Sequence, residues 1–593
     1  MSTDTKPDPI VQMEKIVSLC KRRGFIYQSS EIYGGIGGFW DYGPLGSELK
    51  RNLREAWWKV MTREREDVVG IDATIIMHPA IWKASGHVDT FADMMRECCL
   101  TNKRVRADHV DPQSGTVMEF SGAEAANGWK LSRVFQVLMK KGEHIESFRK
   151  RVRLLIASNA GEPAGKPEEI VLLEEAKLEA VEGSIDYHPD TGGALSEARP
   201  FNLMLSTLVG PTATEENRAY LRPETAQAIF AQFKNVVDSS RVRVPFGICQ
   251  IGKAFRNEVT PKNFTFRSRE FEQMELEFFI KPDEAVEIIC GEVAQWHEGA
   301  DLSEPKPNWG WQLWHRYWVD QRTKFYESIG LGDVLEYYWQ TPDDLAHYAR
   351  ACVDILCQFP FGTEELEGIA ARGDFDLSQH QKHSGKALEV FDEDLKNAAA
   401  KLTAEQKEAF ILKRLAAEAA KTKGEPTPEA DVRTWFERLF KGSYVPHVIE
   451  PSAGLDRLAL AIIAKAFCET EKVDDKGKKE VITVLRFHPR IAPIKAGVFP
   501  LLKNKPELVA KAREVYALIK KHMNCFYDET ASIGRRYARQ DEAGTPFCIT
   551  IDFETLGEKG PELQDTVTVR ERDSNAQHRI KTDQLLGWLQ ARL

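Results

Sequence analysis

Apolar residues recur at helical spacing near the start of the chain. Ser47 can cap a helix there, and the pattern after it predicts a helix that continues to about Arg65. The β-prone residues 68–77 follow and end before Pro79, so a strand is expected after the helix. The residues that set the helical spacing are Leu49, Leu53, Ala56 and Val60.

Two longer β-prone runs, residues 244–255 and 271–280, flank a polar loop. This arrangement predicts an antiparallel hairpin with a long connection. A strongly apolar helix is predicted from about Leu455, because apolar residues dominate residues 458–463. From Val484 onward short strands alternate with helices, which is typical of a compact α/β domain.

Two other stretches lack such patterns. Residues 107–200 are rich in Lys, Glu and Ala, and they predict an inserted lobe with weak amphipathic helices, such as residues 168–181. Residues 394–439 are Ala-rich with mixed charges, and they predict a second, helical insert interrupted at Pro426 and Pro428. Composition alone favours a solvated surface lobe for this second insert.

The 593 residues are 42% hydrophobic and 29% charged, without an uninterrupted apolar stretch long enough to cross a bilayer. Residues 1–15 lack the features of a secretion signal or an organelle presequence, so a cytoplasmic protein that uses no membrane is expected. The ten cysteines form no Cys-x-x-Cys framework. We therefore expect reduced thiols and no protein-bound metal, although Cys98 and Cys99 leave a metal as the less favoured alternative.

The net charge of −10 argues against non-specific coating of DNA or another nucleic acid. Residues 485–593 are different, since they carry 18 Lys and Arg against 14 Asp and Glu. A polyanion is therefore expected to bind most easily at this C-terminal segment.

Arginines are the candidate nucleotide ligands, because no Gly-x-x-x-x-Gly-Lys-Ser/Thr phosphate loop occurs. At the predicted hairpin, Arg256 and Glu258 share one face of an extended strand, and Phe271 shares a face with Gln273 and Glu275. A surface ladder of ion pairs is the alternative for this segment alone.

A second arginine, Arg457, stands at the head of the predicted apolar helix, in the sequence Gly-Leu-Asp-Arg. The alternative for this short string is a helix cap followed by a surface arginine. Together the hairpin and this helix resemble motifs 2 and 3 of the class II aminoacyl-tRNA synthetases. The first predicted helix and its strand lie in the position of motif 1.

Several strings are similar to those of the glycyl-tRNA synthetase family in particular, and this resemblance covers nearly the whole chain except the two inserts. One local departure concerns a pair of cysteines found in many bacterial relatives, because this chain keeps Cys98 but has Thr101 at the second place. That departure argues against a family zinc site. The similar strings are residues 31–35, 201–204, 222–227, 271–275 and 450–454.

The resemblance implies an α+β fold, with a class II antiparallel catalytic sheet flanked by helices, helical inserts and a C-terminal α/β anticodon-binding domain. Motif 1 implies a homodimer. The expected catalytic parts are residues 1–106 with motif 1, 201–392 with motif 2 and 441–483 with motif 3. The expected remaining parts are the lobe 107–200, the helical insert 393–440 and the anticodon-binding domain 484–593.

For ATP, the resemblance implies that Arg256 binds the α-phosphate and that Glu258 accepts the adenine amino group. Phe271 and Arg457 are expected to sandwich the adenine, while Arg267 and Arg269 reach the triphosphate and Mg²⁺ bridges the phosphates. Arg256, Arg457 and Glu258 are the expected catalytic residues. The remaining implied ATP contacts are Asn257, Phe266, Ser268, Glu270, Glu365, Leu366, Gly454, Leu455 and Asp456.

For glycine, the resemblance implies that Glu224, Glu275 and Glu450 surround the ammonium group, with Ser452 and Arg106 nearby. The alternative is that these acids only pair with nearby arginines such as Arg222 and Arg372. The further residues of the implied glycine site are Phe271, Glu272, Gln273, Met274, Arg372, Pro451, Ala453 and Gly454.

The implied activity is ATP-dependent formation of glycyl-adenylate and transfer of glycine to the 3′ end of tRNA(Gly). Residues 533–537 and 567–572 are similar to family strings that face the anticodon, although ordinary surface arginines are an equal alternative. A catalytically inactive accessory protein that binds nucleic acid is one rival, and a class II synthetase for another amino acid is a second. The retained motif arginines favour the enzyme, and the strings around Glu224 and Glu450 favour glycine.

Overall fold

The computed structural model describes residues 9–160, 164–212, 214–346, 349–420, 426–473 and 479–593. The chain forms two compact units. The larger unit contains the residues up to Ser85, residues 207–255 and residues 262–593. The smaller unit contains residues 86–206 and 256–261, so the loop of the predicted hairpin is divided between the two units.

A seven-stranded sheet lies at the centre of the larger unit, in the spatial order β4-β5-β6-β7-β3-β2-β1. Neighbouring strands are antiparallel except for β1 and β2, which are parallel. The predicted hairpin is confirmed as β2 and β3. The strands are β1 (Val68–Gly70), β2 (Phe246–Phe255), β3 (Glu270–Ile280), β4 (Leu335–Trp339), β5 (Ala351–Phe359), β6 (Gly362–Gly373) and β7 (His447–Gly454).

Helices cover both faces of this sheet. One face packs against the helices Pro44–Thr62, Trp311–Ser328 and Leu455–Ala466. The opposite face packs against Ala226–Ser240 and Phe375–Ser384. Side chains of β3 alternate between these two cores, with Phe278 in the first and Phe279 in the second. We call them the first face and the second face of the sheet.

The first predicted helix is confirmed with earlier bounds. It runs from Pro44 to Thr62, after Gly43 at the cap, and it begins before Ser47 because the fixed φ of a proline suits the first helical position. Leu49, Leu53 and Ala56 are buried as the spacing predicts. The residues after Val68 form two short strands, Val68–Gly70 and Ile76–Met77.

The C-terminal segment contains a five-stranded sheet, in the spatial order 525–527, 496–500, 547–551, 566–571, 577–581. Its first three strands are parallel and the last two are antiparallel, which confirms the predicted α/β character. The strands are Ala496–Pro500, Cys525–Tyr527, Phe547–Ile551, Thr566–Glu571 and Gln577–Lys581, and the helices are Pro506–Lys520, Ile533–Ala543 and Thr582–Gln590.

The second insert is helical, as predicted, with helices Glu393–Ala399, Ala404–Ala419 and Glu429–Phe440. Asp392 caps the first helix, and Thr403 with Gln406 forms a capping box on the second. The third helix starts directly after Pro428. These helices share a small core with Asp283–Cys290.

The prediction of helices in the first insert is wrong for most of its length. Residues 168–181, expected to be helical, mainly form the strands Ile170–Leu173 and Ala176–Ser184, which pair with Gly122–Ala125 and Gln113–Phe120. One long helix, Ile145–Ala160, packs its buried side chains into the core of the smaller unit. The other strands of the smaller unit are Ala92–Glu97, Arg104–Arg106, Lys130–Leu131, Phe135–Lys140 and Arg199–Asn202.

The remaining elements are short or peripheral. A bilayer-spanning helix is not found in the described part of the chain, since none combines the necessary length with the necessary apolar character. The remaining helices are Pro9–Arg23, Pro79–Ala84 and His87–Thr90. The remaining strands are Ile26–Gln28, Trp40–Tyr42, Ser206–Leu208, Arg218–Leu221, Val390–Phe391, Ser443–Tyr444, Phe467–Val473 and Lys479–Leu485.

Candidate functional site

Carboxyl groups gather on the second face of the central sheet. Glu275 of β3 stands opposite Ser452 of β7, and Ala370 of β6 stands opposite Glu450 of β7. This register brings side chains from three neighbouring strands to one place, because directly opposed residues project from the same face. We call the group formed by Glu224, Glu275, Glu277, Asp376 and Glu450 around Arg372 the acid cluster.

Glu275 is held in one orientation by several donors. Its Oε1 accepts hydrogen bonds from Ser452 Oγ at 2.7 Å and Gln273 Nε2 at 2.9 Å. Its Oε2 accepts from the backbone N–H of Thr225 at 2.9 Å and from the hydroxyl of the same residue. The carboxylate is therefore fixed before any ligand binds, and Ser452 is fixed with it.

Arg372 forms ion pairs with two acids of the cluster. Its Nη1 donates to Glu450 Oε2 at 2.6 Å, and its Nε and Nη2 donate to the two carboxylate oxygens of Asp376 at 2.8 and 2.9 Å. Asp376 lies four residues after Arg372. The alternative that these acids pair with arginines is thus correct for Arg372. It does not account for the whole cluster, in which five carboxyl groups surround one guanidinium.

Arg222, the other arginine considered as a partner, lies close enough to Glu275 to feel its charge: burial lowers the pKa of Arg222, and the charge of Glu275 opposes this shift. Its Nε donates to the carbonyl oxygen of Lys253 at 2.7 Å and its Nη1 donates to that of Ala73 at 3.0 Å. These bonds tie Arg222, directly after the strand Arg218–Leu221, to β2 and to the segment after β1. Arg222 therefore has a structural role in the wall beside the acid cluster.

Gln227 links the helix Ala226–Ser240 to the acid cluster. Its Nε2 donates to Glu224 Oε1 and to Asp376 Oδ1, both at 3.0 Å. Its Oε1 lies 2.8 Å from His380 Nε2, and burial lowers the pKa of His380. Since the amide oxygen can only accept, the neutral imidazole donates from Nε2. The family string 222–227 contains Gln227 but does not indicate this role. No pattern in the sequence indicated Asp376 or His380.

The environment of Glu450 disfavours its charged form. Burial raises the pKa of Glu450 to about 8, Arg372 opposes this shift, and the charges of Glu275 and Glu224 add to it. An arriving cation would reverse the balance, because it would favour the ionised carboxylate. The cluster is therefore suited chemically to a small, positively charged group.

Arg457, at the start of the helix Leu455–Ala466, lies among aromatic rings. Its guanidinium carbon is 4.6 Å from the centre of the Phe266 ring, and its Nη1 donates to the carbonyl and carboxylate oxygens of Glu365 at 3.2 Å. Phe266 in turn contacts Phe359 and Phe361 edge to face. A flat cation beside aromatic rings is a suitable platform for a nucleobase.

Comparison with known proteins agrees with this geometry. Residues 211–298 match a family model described as the tRNA synthetase class II core domain (G, H, P, S and T), and residues 495–592 match one described as the anticodon binding domain. The chain is 43% identical to the glycine–tRNA ligase of Rhodopirellula baltica, and the aligned residues cover 98% of this chain and 99% of that protein. It is 41% identical to the glycine–tRNA ligase of Thermus thermophilus, with 99% of both chains covered.

The chain belongs to the glycine–tRNA ligase family. This membership confirms the resemblance drawn from the motif strings and the class II fold. It also identifies the C-terminal α/β segment as an anticodon-binding domain by its family match.

Two residues of the family string 271–275 point away from the acid cluster. Glu272 and Met274 project from the first face of the sheet, because side chains alternate along β3. Glu272 forms an ion pair with Lys50 at 2.7 Å and another with Arg54, both on the helix Pro44–Thr62. Met274 is buried in the core. Their expected contact with glycine therefore has no support from side-chain geometry.

Asp456, expected at the ATP site, joins the three motif segments, and its contact with ATP stays a prediction. Its Oδ1 accepts from Tyr42 at 2.6 Å and Lys50 at 2.8 Å, and its Oδ2 accepts from the backbone N–H of Glu272 at 2.6 Å. The expected ATP residues Leu366 and Leu455 are buried in the same core, as are Ala453 and the β7 backbone beside them. These residues belong to the hydrophobic core that supports the site.

Most loop residues of the larger unit are half-buried or buried. Arg269 Nη1 donates to the carbonyl oxygen of Gly37 at 2.8 Å, so the Gly-rich segment holds this arginine. Ser268 is buried and donates to the carbonyl oxygen of Thr265, while Glu270 forms an ion pair with Lys253. Phe271 lines a cavity of about 430 Å³ whose wall also contains Lys50. The adenine sandwich between Phe271 and Arg457 stays a prediction.

Arg106, Arg256, Asn257 and Glu258 belong to the smaller unit. The guanidinium carbon of Arg256 lies 5.5 Å from the centre of the Phe91 ring. Arg106 forms ion pairs with Asp93 at 3.2 Å and Asp108 at 2.7 Å, and the charge of Glu258 helps to raise the pKa of Arg106. Their expected roles in binding ATP and glycine stay predictions.

Several arginines of the two predicted anticodon strings are structural. Arg536 is buried and donates to the backbone carbonyls of Glu529 and Ala531 at 3.0 and 2.8 Å. Arg572 is buried as well and donates to the carbonyls of Gly544 and Phe487, both at 2.8 Å. These two arginines hold the domain together, which leaves the exposed Arg535 as the better candidate for contact with RNA.

Proposed function

We propose that the protein activates glycine with ATP to form glycyl-adenylate and then transfers glycine to the 3′ end of tRNA(Gly). The observation that carries this proposal is the acid cluster on a class II sheet. It presents Glu224, Glu275 and Glu450 beside the small hydroxyl of Ser452. The family membership of the chain supports the same reaction.

Glycine is selected in this proposal by charge and by exclusion. The acids bind the ammonium group, and their fixed positions leave no room for a methyl group on the α-carbon. A missing methylene is normally worth only about 1–3 kcal/mol of discrimination, but a clash with a rigid wall rejects a larger substrate more strongly. The wall here is rigid because Glu275 is held by Ser452, Gln273 and Thr225.

The adenylate step needs positioning and charge stabilisation, and it needs no general base, because the glycine carboxylate is already ionised. Arg256 binds the α-phosphate and stabilises the charge that develops there. Arg457, with Phe266 and Phe271, holds the adenine, and Glu258 accepts its amino group. Arg267 and Arg269 bind the β- and γ-phosphates.

Mg²⁺ fits this site as an ion held mainly by ATP. Among the described residues there is no group of three or more His, Cys, Asp or Glu side chains that could hold a metal ion. Mg²⁺ often takes only one or two carboxylates and completes its shell with phosphate and water. Glu365, with about half of its side chain exposed beside Arg457, is the carboxylate that fits this role. When bound, the ion would neutralise phosphate charge.

Dimer formation is the second part of the proposal. The helix Pro44–Thr62 buries one side in the core, and its other side lines a cavity of about 700 Å³, in which Trp58 and Ile251 lie among six Lys and Arg side chains. Because the wall of this cavity is mostly charged, the likeness of the helix to motif 1 carries this part of the proposal. Sedimentation velocity should find a dimer, and a monomer at micromolar concentration would contradict this part.

ATP–pyrophosphate exchange with each amino acid in turn tests the activity. Exchange with glycine alone is expected, and Arg256→Ala should reduce it by about two orders of magnitude, because a lost contact to the reacting phosphate costs about 3 kcal/mol. Exchange with a different amino acid would show a synthetase of other specificity. The inactive accessory protein would bind tRNA without any exchange.

A further inference from the structure

Glu277 belongs to the acid cluster, but the proposed mechanism does not use it. It lies on β3 two residues beyond Glu275 and projects from the same face. Glu275 pairs with Ser452 and Phe278 pairs with Ile449, so the antiparallel register places Glu277 opposite Glu450. On the other side, Glu277 stands opposite the apolar Ile248 of β2. The two glutamates are therefore cross-strand neighbours in the interior.

The surroundings of Glu277 do not suit an ionised carboxylate. The residue is 0% exposed, and neither of its carboxyl oxygens has a hydrogen-bond partner within the described part of the chain. An ionised group at this place would have neither water nor donors, which is the costliest state for a buried acid. One neutral acid and one carboxylate can share a single proton across such a pair.

The neighbouring carboxyl groups also favour a neutral Glu277. Burial raises the pKa of Glu277 well above its ordinary value, and Glu450, Glu275 and Asp376 raise it further. Arg372 opposes this shift, but it already donates to Glu450 and Asp376. His380, the other titratable group of the covering helices here, bonds to Gln227. One more negative charge at Glu277 would therefore repel those that a bound ammonium group needs.

We propose that Glu277 is a positioning residue that stays a neutral carboxylic acid beneath Glu450, so that Glu450 and Glu275 can meet the ammonium group of glycine as carboxylates. This inference rests on the proposed function. The neutral acid keeps the proton that the crowded cluster needs, and its O–H is available as a donor to Glu450. If Glu277 were ionised instead, Glu450 would keep the proton and could not attract the ammonium group.

An infrared difference spectrum tests the proton directly and needs no activity. The carbonyl stretch of a protonated carboxylic acid lies apart from carboxylate bands and shifts in D₂O. The spectrum of the wild-type chain minus that of Glu277→Gln at neutral pH should contain this band. Its absence would overturn the proposal. Because no glycine is added, this result stands even if the proposed activity fails.

Two variants separate positioning from a purely structural role. Glu277→Gln keeps a neutral donor, so the KM for glycine should stay within about threefold of wild type at neutral pH. Glu277→Leu is also neutral but has no donor, so the KM for glycine should rise about tenfold while the KM for ATP stays within about twofold.

An equal rise of the glycine KM in both variants would overturn the proposal, since it would show an ionised Glu277 that binds the ligand itself. An unchanged KM in Glu277→Leu would overturn it as well. If Glu277→Leu does not fold, the spectrum and Glu277→Gln still decide. A wild-type chain without glycine-dependent exchange would refute the proposed function alone.

Discussion

Two groups of buried acids lie on opposite faces of the central sheet, and they differ in how they are balanced. On the first face, Glu367 of β6 accepts from Arg322 Nε at 2.7 Å and from the hydroxyl of Tyr326. On the second face, the acid cluster has five carboxyl groups around Arg372. Glu367 has partners for both of its oxygens, whereas Glu277 has none within the described residues.

This difference separates acids that stabilise the fold from acids that bind a ligand. The Arg322–Glu367 pair is 0% and 1% exposed and carries no excess charge, so it contributes to structure. The acid cluster has an excess of negative charge in a place with little water, which lowers stability until a cation arrives. The four predictions that follow test this distinction, from the largest expected effect to the smallest.

Arg322→Leu should lower the free energy of unfolding by about 3–5 kcal/mol, because it leaves Glu367 buried beside Tyr326 without its cation. Urea denaturation measures this change. In the protein that remains folded, the KM for glycine should stay within about threefold of wild type. A loss below about 1 kcal/mol would contradict the structural role of this pair.

Glu450→Gln should raise the KM for glycine by about 10- to 100-fold, because a hydrogen bond to a charged group is worth about 1.5–3 kcal/mol. The KM for ATP should change less than about threefold. Pyrophosphate exchange at varied glycine and ATP measures both constants. A raised KM for ATP with an unchanged glycine value would remove Glu450 from the amino-acid pocket.

The sequence predicted the central parts of this comparison but not their organisation. The long apolar runs of β2 and β3 predicted the hairpin, since both faces of the sheet are covered and the pattern is strong. The adjacency of Glu275, Glu450 and Arg372 could not be read from periodicity, because strand order places β7 between β3 and β6. Only the family resemblance indicated it.

Other parts were predicted wrongly or missed for identifiable reasons. The strand Ala176–Ser184 is mostly exposed and mixes charged with small residues, so its composition is typical of a surface helix. Its pairing with Gln113–Phe120 decides its conformation, and that partner is distant in the chain. The motif string containing Asp456 indicated ATP but did not indicate that the carboxylate bonds to Tyr42 and Lys50. A string shows that a residue matters and does not show which face it occupies.

Ser452→Ala should have a smaller effect than Glu450→Gln. The hydroxyl is itself uncharged and only helps to hold Glu275, so its loss should cost about 1 kcal/mol and raise the KM for glycine about fivefold. The small space that is freed should let alanine compete weakly. Exchange assays with glycine and alanine would show both effects, and a strong preference for alanine would exceed what this wall can explain.

The pH dependence of stability should show the smallest effect. A glutamate whose pKa is raised in the folded protein stabilises it fully below about pH 4.5, and this stability is lost as the pH rises through the folded value. For Glu450 that value is about 8. Burial raises the pKa of Glu277 well above its ordinary value, and Glu277→Gln removes this group, so the thermal midpoint of the variant should gain about 1–3 °C on wild type as the pH rises above about 4.5. A difference in thermal midpoint between variant and wild type that does not change with pH would contradict a neutral Glu277.

The most direct test compares one acid from each face in the same assay. Glu450→Gln and Glu367→Gln each remove one buried carboxylate and keep its shape. In glycine-dependent pyrophosphate exchange, the account predicts a strongly raised KM for glycine in Glu450→Gln and a wild-type KM, with lower thermal stability, in Glu367→Gln. An equal rise of the glycine KM in both variants would contradict the claim that the acid cluster alone binds the amino acid.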